Sequence, residues 1–317
     1  MTIVIDTATS HQFSLYCKTF SRDLAAFTQL VDSVVRHNVD GIPFIVSVPA
    51  HERSLYSRKY GGSITSLIAD EDVLGDYSIG ALSTLKGWMA QQVVKLEYGR
   101  TMATPYCLVL DSDFYFLRDF RQSDFRDRDG NVMFVATQMA HGFAPQNERY
   151  LKWLRGEETA TPIRPRRLEG DAPRIPRLWR MLNRLGLDRR RAMTKLSRIE
   201  RLFGGDVPSA NFMPGPIFHS AICRAFHEQF IKPQELSYVE LIQYAPWEAV
   251  WLGNYALRFS QEIKTCCEPF FLHFGSLSEV ERARQHGIRH QDIARRYLGV
   301  AMAATHYEQL SFEEVLP

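Results

Sequence analysis

Apolar positions in this chain fall into short unbroken runs separated by stretches of helical spacing. Tyr106-Cys107-Leu108-Val109-Leu110 has no charged position and stops at Asp111. Pro43 and Pro49 bracket a second run, Phe44 to Val48, while Ile64 to Ala69, which ends at Asp70-Glu71-Asp72, and Val132 to Ala136 supply two more. Ile3-Val4-Ile5 and Phe13 to Cys17 read as shorter strands. Continuous runs of this kind predict strands covered on both faces, as in a parallel sheet. Between them, Leu24, Phe27, Leu30, Val31, Val34 and Val35 mark the apolar face of a helix that Ser21 or Asp23 is placed to cap, and a second helix runs through Trp88 to Leu96. The alternation predicts an α/β fold with a mostly parallel central sheet flanked by helices. A more mixed C-terminal third resumes at Asn211.

The length of 317 residues fits one large α/β domain spanning 1–317, and 45% hydrophobic with 23% charged residues excludes a disordered or disulfide-scaffold chain. No run approaches the roughly 18 apolar residues of a membrane helix. No basic-then-apolar leader precedes Ile3, so a secretory signal is not expected. Cys17, Cys107, Cys223, Cys266 and Cys267 show no metal-binding spacing, and adjacent cysteines on a strand point to opposite faces. These features predict free thiols in a reducing, cytoplasmic setting.

Net charge is +2, but its distribution is uneven. Arg164 to Phe203 holds twelve Arg and one Lys against Glu169, Asp171, Asp188 and Glu200. Within this 160–203 insertion, Leu178, Leu182 and Leu185 repeat at helical spacing, with Arg177, Arg180 and Arg184 on another side. A basic amphipathic helix of this type suits peripheral contact with an anionic membrane; a solvated insertion packed on its own domain is the plainer reading. Nucleic acid is not the expected partner, since aromatic interleaving is limited to Trp179.

Three D-x-D triplets occur where 17 Asp in 317 residues would give roughly one by chance. Only Asp111 and Asp113 directly follow a buried strand and directly precede another apolar run, Phe114 to Leu117. Two carboxylates at such a strand end need a positive partner. Mg²⁺ or Mn²⁺ is the simplest, held by one or two carboxylates with the other positions left to phosphate oxygens. Solvated turn residues are the alternative.

The segment Tyr106 to Asp113 resembles the DxD segment of GT-A-fold glycosyltransferases that use nucleotide sugars. Gly87 to Leu96, Cys17 to Leu24, and Trp247 to Tyr255 resemble, in turn, the helix before that strand, the first strand with its donor loop, and a late Glu-containing motif in a bacterial GT-A-like group of largely unassigned function. The likeness covers roughly residues 12 to 120 and 205 to 275. It implies a GT-A-like, Rossmann-like sheet with a nucleotide-sugar-binding half at 12–120, an acceptor-side half at 204–276 and a helical tail at 277–317. It implies metal ligation by Asp111, Asp113 and His273, the imidazole tilting the ion toward Mn²⁺, although His273 also reads as a packed core residue. Thr19, Asp72, Trp88, Gln92, Lys95 and Asp111 fall where the family holds the donor, with Asp70 competing with Asp72 and Trp88 readable as core. Glu248, shielded between Trp247 and Val250, is the candidate base, with Asp206 in reserve; in a retaining enzyme Glu248 would bind hydroxyls instead. Asn211 to Pro216 reads as an acceptor-side loop or as a plain turn.

The function implied is transfer of a sugar from a nucleotide-diphosphate donor, a UDP-sugar by preference, to a glycan or lipid-linked acceptor at the inner face of the plasma membrane. The alternatives are a phosphatase or phosphotransferase using Asp111 as nucleophile, and a noncatalytic polyanion binder acting through the Arg-rich segment.

Overall fold

A computed structural model describes residues 12–75, 82–138, 152, 154–157, 173–184, 188, 192–204, 209–210, 215–259, 263–266 and 269–302. The expected strand at Ile3-Val4-Ile5, the reserve base Asp206, Cys267 and residues 211–214 lie outside these.

The central sheet is built from β1 (Phe13–Lys18), β2 (Phe44–Val48), β3 (Ser66–Ala69) and β4 (Tyr106–Leu110), all parallel, in the order β3-β2-β1-β4. All positions of β1 and β2 are buried, the outcome that their unbroken apolar runs predict. One face is covered by α1 (Leu24–His37) and α2 (Arg53–Tyr60), where Phe27, Leu30, Val31 and Val34 join Tyr56 and Tyr60 over Leu15, Phe44 and Val46. Val35, expected on the apolar face of α1, is exposed. Asp23 occupies the N-cap position of this helix but makes no side-chain capping bond there; the Ser21 hydroxyl donates to Glu52 Oε1 at 2.6 Å.

The other face carries α3 (Asp70–Leu74) and α4 (Gly87–Thr101), and Tyr98 of α4 stacks on Tyr16 of β1 with ring centroids 3.7 Å apart. The close approach of α4 to the sheet depends on Gly99, where a Cβ would lie 2.9 Å from the Phe218 ring.

After β4 the chain forms β5 (Phe114–Phe116), β6 (Met133–Val135) and β7 (Thr137–Gln138). The basic insertion supplies α5 (Arg177–Arg184) and α6 (Ala192–Leu202). β8 (Ser209–Ala210) pairs with β7, and β9 (Ile217–His219) adds an antiparallel edge to β4. Then follow α7 (Ser220–Phe226), α8 (Tyr238–Tyr244), α9 (Glu248–Phe259), β10 (Lys264–Cys266), β11 (Phe271–Phe274), α10 (Leu277–Gln285), α11 (His290–Ala294) and β12 (Gly299–Met302).

One expectation is corrected here. The segment from residue 277 is not wholly helical: β12 inserts between β11 and β5, parallel to the first and antiparallel to the second. Gly299 makes this possible, because a Cβ there would sit 2.0 Å from the Tyr115 carbonyl oxygen. In α5, Leu178 does not face the core. Trp179 turns inward instead, since its indole buries more apolar area than a leucine and its Nε1–H donates to Asp188 Oδ2 at 2.9 Å.

Among the described residues no helix is long and apolar enough to cross a membrane. Cys17, Cys107, Cys223 and Cys266 are free thiols.

Candidate functional site

Strand order places the site. The chain steps from β1 outward to β2 and β3, then returns to pair β4 on the opposite side of β1. Connections therefore diverge between β1 and β4, and a crevice opens at their carboxyl ends, the usual ligand position in an open α/β sheet. The register sets Cys17 opposite Leu110, so Lys18-Thr19 and Asp111-Ser112-Asp113 leave the sheet side by side. A hydrogen bond from Ser112 Oγ to Thr19 Oγ1 at 2.8 Å ties the two loops together.

Around this junction the ionisable groups interlock. Lys95, buried on α4, donates to Asp111 Oδ1 at 2.5 Å and to Glu248 Oε1 at 3.3 Å. Both carboxylates hold its ammonium well above the ordinary lysine range against the opposing effect of burial. The Asp111 side chain is 48% exposed and the Glu248 side chain 13%, so the cluster runs from a dry floor to an open mouth. Asp113 lies behind Asp111, where burial and then the neighbouring Asp111 charge push its carboxyl well above the usual range. Burial, aided by the Asp111 charge, also raises Asp23. Burial brings His273 down to about 4, with the Asp111 charge acting in the opposite direction.

The sequence expectations divide on these facts. Asp111, Asp113, Lys95 and Glu248 are brought together, and His273 is close enough to feel Asp111. Thr19 is fully buried and positions Ser112 rather than facing the crevice. Gln92 is also a strut: its Oε1 accepts the Glu248 backbone N–H at 3.3 Å and its Nε2 donates to the Trp88 carbonyl at 3.3 Å, fixing the start of α9 against α4. Trp88 is 40% exposed, with its ring centroid 6.2 Å from that of Trp247.

Asp72 is corrected. It is exposed in the first turn of α3, whereas Asp70 is buried and pairs with Lys18 Nζ at 2.9 Å. The helix begins at Asp70, and its turn carries the residue two positions on away from the β1 tip. Glu248 is shielded as expected, its side chain 13% exposed, and Lys95 partners its charge as well. Two further members come from the Cys17–Leu24 segment, Lys18 and Asp23, neither of which the sequence singles out for the site; the β1–β4 pairing brings that segment beside Asp111.

A divalent cation of the Mg²⁺ or Mn²⁺ type needs hard oxygen donors. Asp111 and Asp113 fit: neighbouring carboxylates, one raised by burial and then by the charge of the other, are a site that a hard cation relieves. Among the described residues no three His, Cys, Asp or Glu side chains converge as a ligand group, so His273 does not complete a ready-made triad. An ion here would be held by the two aspartates, with the remaining positions left to ligand oxygens or water.

Residues 13–160 match a family of unknown function (DUF6492). The matched stretch contains β1 to β4, Lys95, Asp111 and Asp113, but not Glu248 or His273. No curated protein matches the chain.

Proposed function

We propose that this chain is a glycosyltransferase that moves a sugar from a nucleotide-diphosphate donor, a UDP-sugar by preference, to a hydroxyl of a glycan or lipid-linked acceptor. The observation that carries the reading is the convergence of Asp111, Asp113, Lys95 and Glu248 at the β1–β4 crevice. Asp111 and Asp113 would hold Mn²⁺ or Mg²⁺, which when bound supplies positive charge to a departing diphosphate. Lys95 holds Asp111 and Glu248 in place from below and adds a fixed positive charge beside the leaving group. Glu248, seated at the first position of α9, takes the proton of the attacking hydroxyl in an inverting reaction, or binds sugar hydroxyls in a retaining one. Gln92 and Thr19 keep these groups in register.

Thermal melts with UDP-, GDP-, ADP- and CMP-sugars, each with and without Mn²⁺, test this. One nucleotide class should raise the melting temperature only with the metal, and Asp111→Asn together with Asp113→Asn should abolish that rise, measured against the variant's own unliganded melt. No stabilisation by any sugar nucleotide with either metal overturns the reading.

A second reading has one observation in its favour. The Lys95–Asp111 contact would also orient a nucleophilic aspartate for phosphoryl transfer. Hydrolysis of p-nitrophenyl phosphate, lost in Asp111→Asn, would support that chemistry over the first.

A further inference from the structure

The basic insertion does not act as one undivided charge patch. Part of its charge is consumed internally. Arg198 grips Asp188 through both terminal nitrogens at 2.7 and 2.9 Å, and Lys195 adds a third contact at 3.4 Å. The same two cations bind the C-terminal carbonyls of α8, Lys195 to Gln243 at 3.0 Å and Arg198 to Tyr244 at 2.8 Å. Asn183 Nδ2 donates to Gln243 Oε1 at 2.7 Å, and Trp179 packs edge-on against Tyr244. These contacts fix α5 and α6 to the body of the protein and determine which side of α5 faces out.

The outward side has a particular composition. Leu178 is 62% exposed and Met181 53%, and at about 100° per residue they share one face of α5. Beside them opens a cleft of about 840 Å³, lined by Arg174, Arg177 and Arg180 on one wall and by Gln234 and Glu235 on the other. Among the described residues none of the three arginines is ion-paired, and the buried Nε of Arg180 lacks a hydrogen-bond partner. Gln234 is not free to compensate, because its carbonyl oxygen accepts the Ile175 N–H at 2.8 Å and its amide donates to Phe230 at 2.8 Å.

We infer that this face of α5 docks on an anionic phospholipid bilayer, with Leu178 and Met181 entering the headgroup–acyl boundary and the cleft arginines taking lipid phosphates. Charge complementarity requires an anionic partner, and the exposed apolar pair selects a bilayer over a soluble polyanion. Nucleic acid is disfavoured because Trp179, the one aromatic residue of α5, faces inward and offers no base a stacking surface. The inference does not depend on the transfer chemistry proposed above.

Vesicle sedimentation of the full chain tests it, using phosphatidylcholine alone and an equimolar mixture with phosphatidylglycerol. The chain should pellet with the mixed vesicles and stay largely in solution with neutral ones. Each arginine near a charged surface contributes roughly fivefold to partitioning, so Arg174→Gln, Arg177→Gln and Arg180→Gln together should weaken binding about a hundredfold. Leu178→Ser with Met181→Ser alters only exposed side chains. It should weaken vesicle binding with an unchanged circular-dichroism spectrum, whichever way the triple variant folds. The inference is overturned by failure to bind mixed vesicles, by equal binding to neutral ones, or by insensitivity to the serine pair. It is also overturned if heparin or RNA is bound more tightly than the mixed vesicles.

Discussion

Replacing Lys95 with methionine keeps the length of the side chain and removes the one cation shared by Asp111 and Glu248. Deleting one partner of a buried ion pair ordinarily costs about 3–5 kcal/mol, because the remaining charge stays desolvated. Here Asp111 is nearly half exposed and water screens part of its loss, while Glu248 is mostly enclosed. The expected cost at neutral pH is therefore about 3 kcal/mol, or a fall in melting temperature of about 5 °C for a chain of this size. Acid should relieve it. Lys95 is the cation that pulls the Asp113 carboxyl downward against burial and the Asp111 charge. Without it the Asp113 carboxyl, already raised in the unaltered chain, holds its proton more tightly still. Stability then rises as pH falls from the raised folded pKa toward the unfolded value, by about 1.4 kcal/mol per pH unit per proton. The gap with the unaltered chain should therefore narrow as pH falls between the folded values of the two proteins. Urea titrations of both proteins from about pH 8 to about pH 5 would measure this directly. A deficit that stays constant across that range would mean that lost packing, not unpaired charge, is the cause, and the electrostatic account would fail.

Three further outcomes are expected. Thr19→Val leaves the buried Ser112 hydroxyl without its acceptor and should cost about 1–3 kcal/mol in urea unfolding, with a larger loss of donor-induced thermal shift than of stability. Gly299→Ala puts a methyl group onto the Tyr115 carbonyl and should destabilise by about 3 kcal/mol or abolish soluble expression; Gly287→Ala, where a Cβ meets open space but φ is +70°, should cost only about 1 kcal/mol. His273 is held neutral, its folded value near 4 against an ordinary 6.5, so the stability it contributes is lost as pH falls from about 6.5 toward 4. His273→Gln should flatten that part of the pH–stability curve, and an unchanged slope would show that another group sets it.

The sheet was legible because its strands carry their own signal. Tyr106–Leu110 is found with the boundaries its apolar run predicts, and β2 fills the space between Pro43 and Pro49. The acidic pair could be picked out for the same reason, since a strand end is visible wherever an apolar run meets Asp. What escaped the sequence was tertiary. Nothing local distinguishes Asp70 from Asp72; the start of α3 at Asp70 and the position of Lys18 decide between them. Likewise the period of α5 left open which side faces the body, and the indole of Trp179, with Asp188 in reach, settles it. Lys95 was expected to reach a ligand, and its pairing with Glu248 across 153 positions could not be read from any spacing.

β12 carries a consequence for how this protein comes into being. Its last residue donates a backbone hydrogen bond from Met302 to the carbonyl of Asp113 at 2.9 Å, and its first lies against Phe116. The floor beneath the acidic pair is thus sealed by residues synthesised nearly two hundred positions later. A nascent chain can form β1 to β4 early, yet the crevice stays unfinished until Gly299 to Met302 emerges and threads between two waiting strands. Truncation upstream of Gly299 should leave a chain that folds its first sheet but never acquires a rigid site.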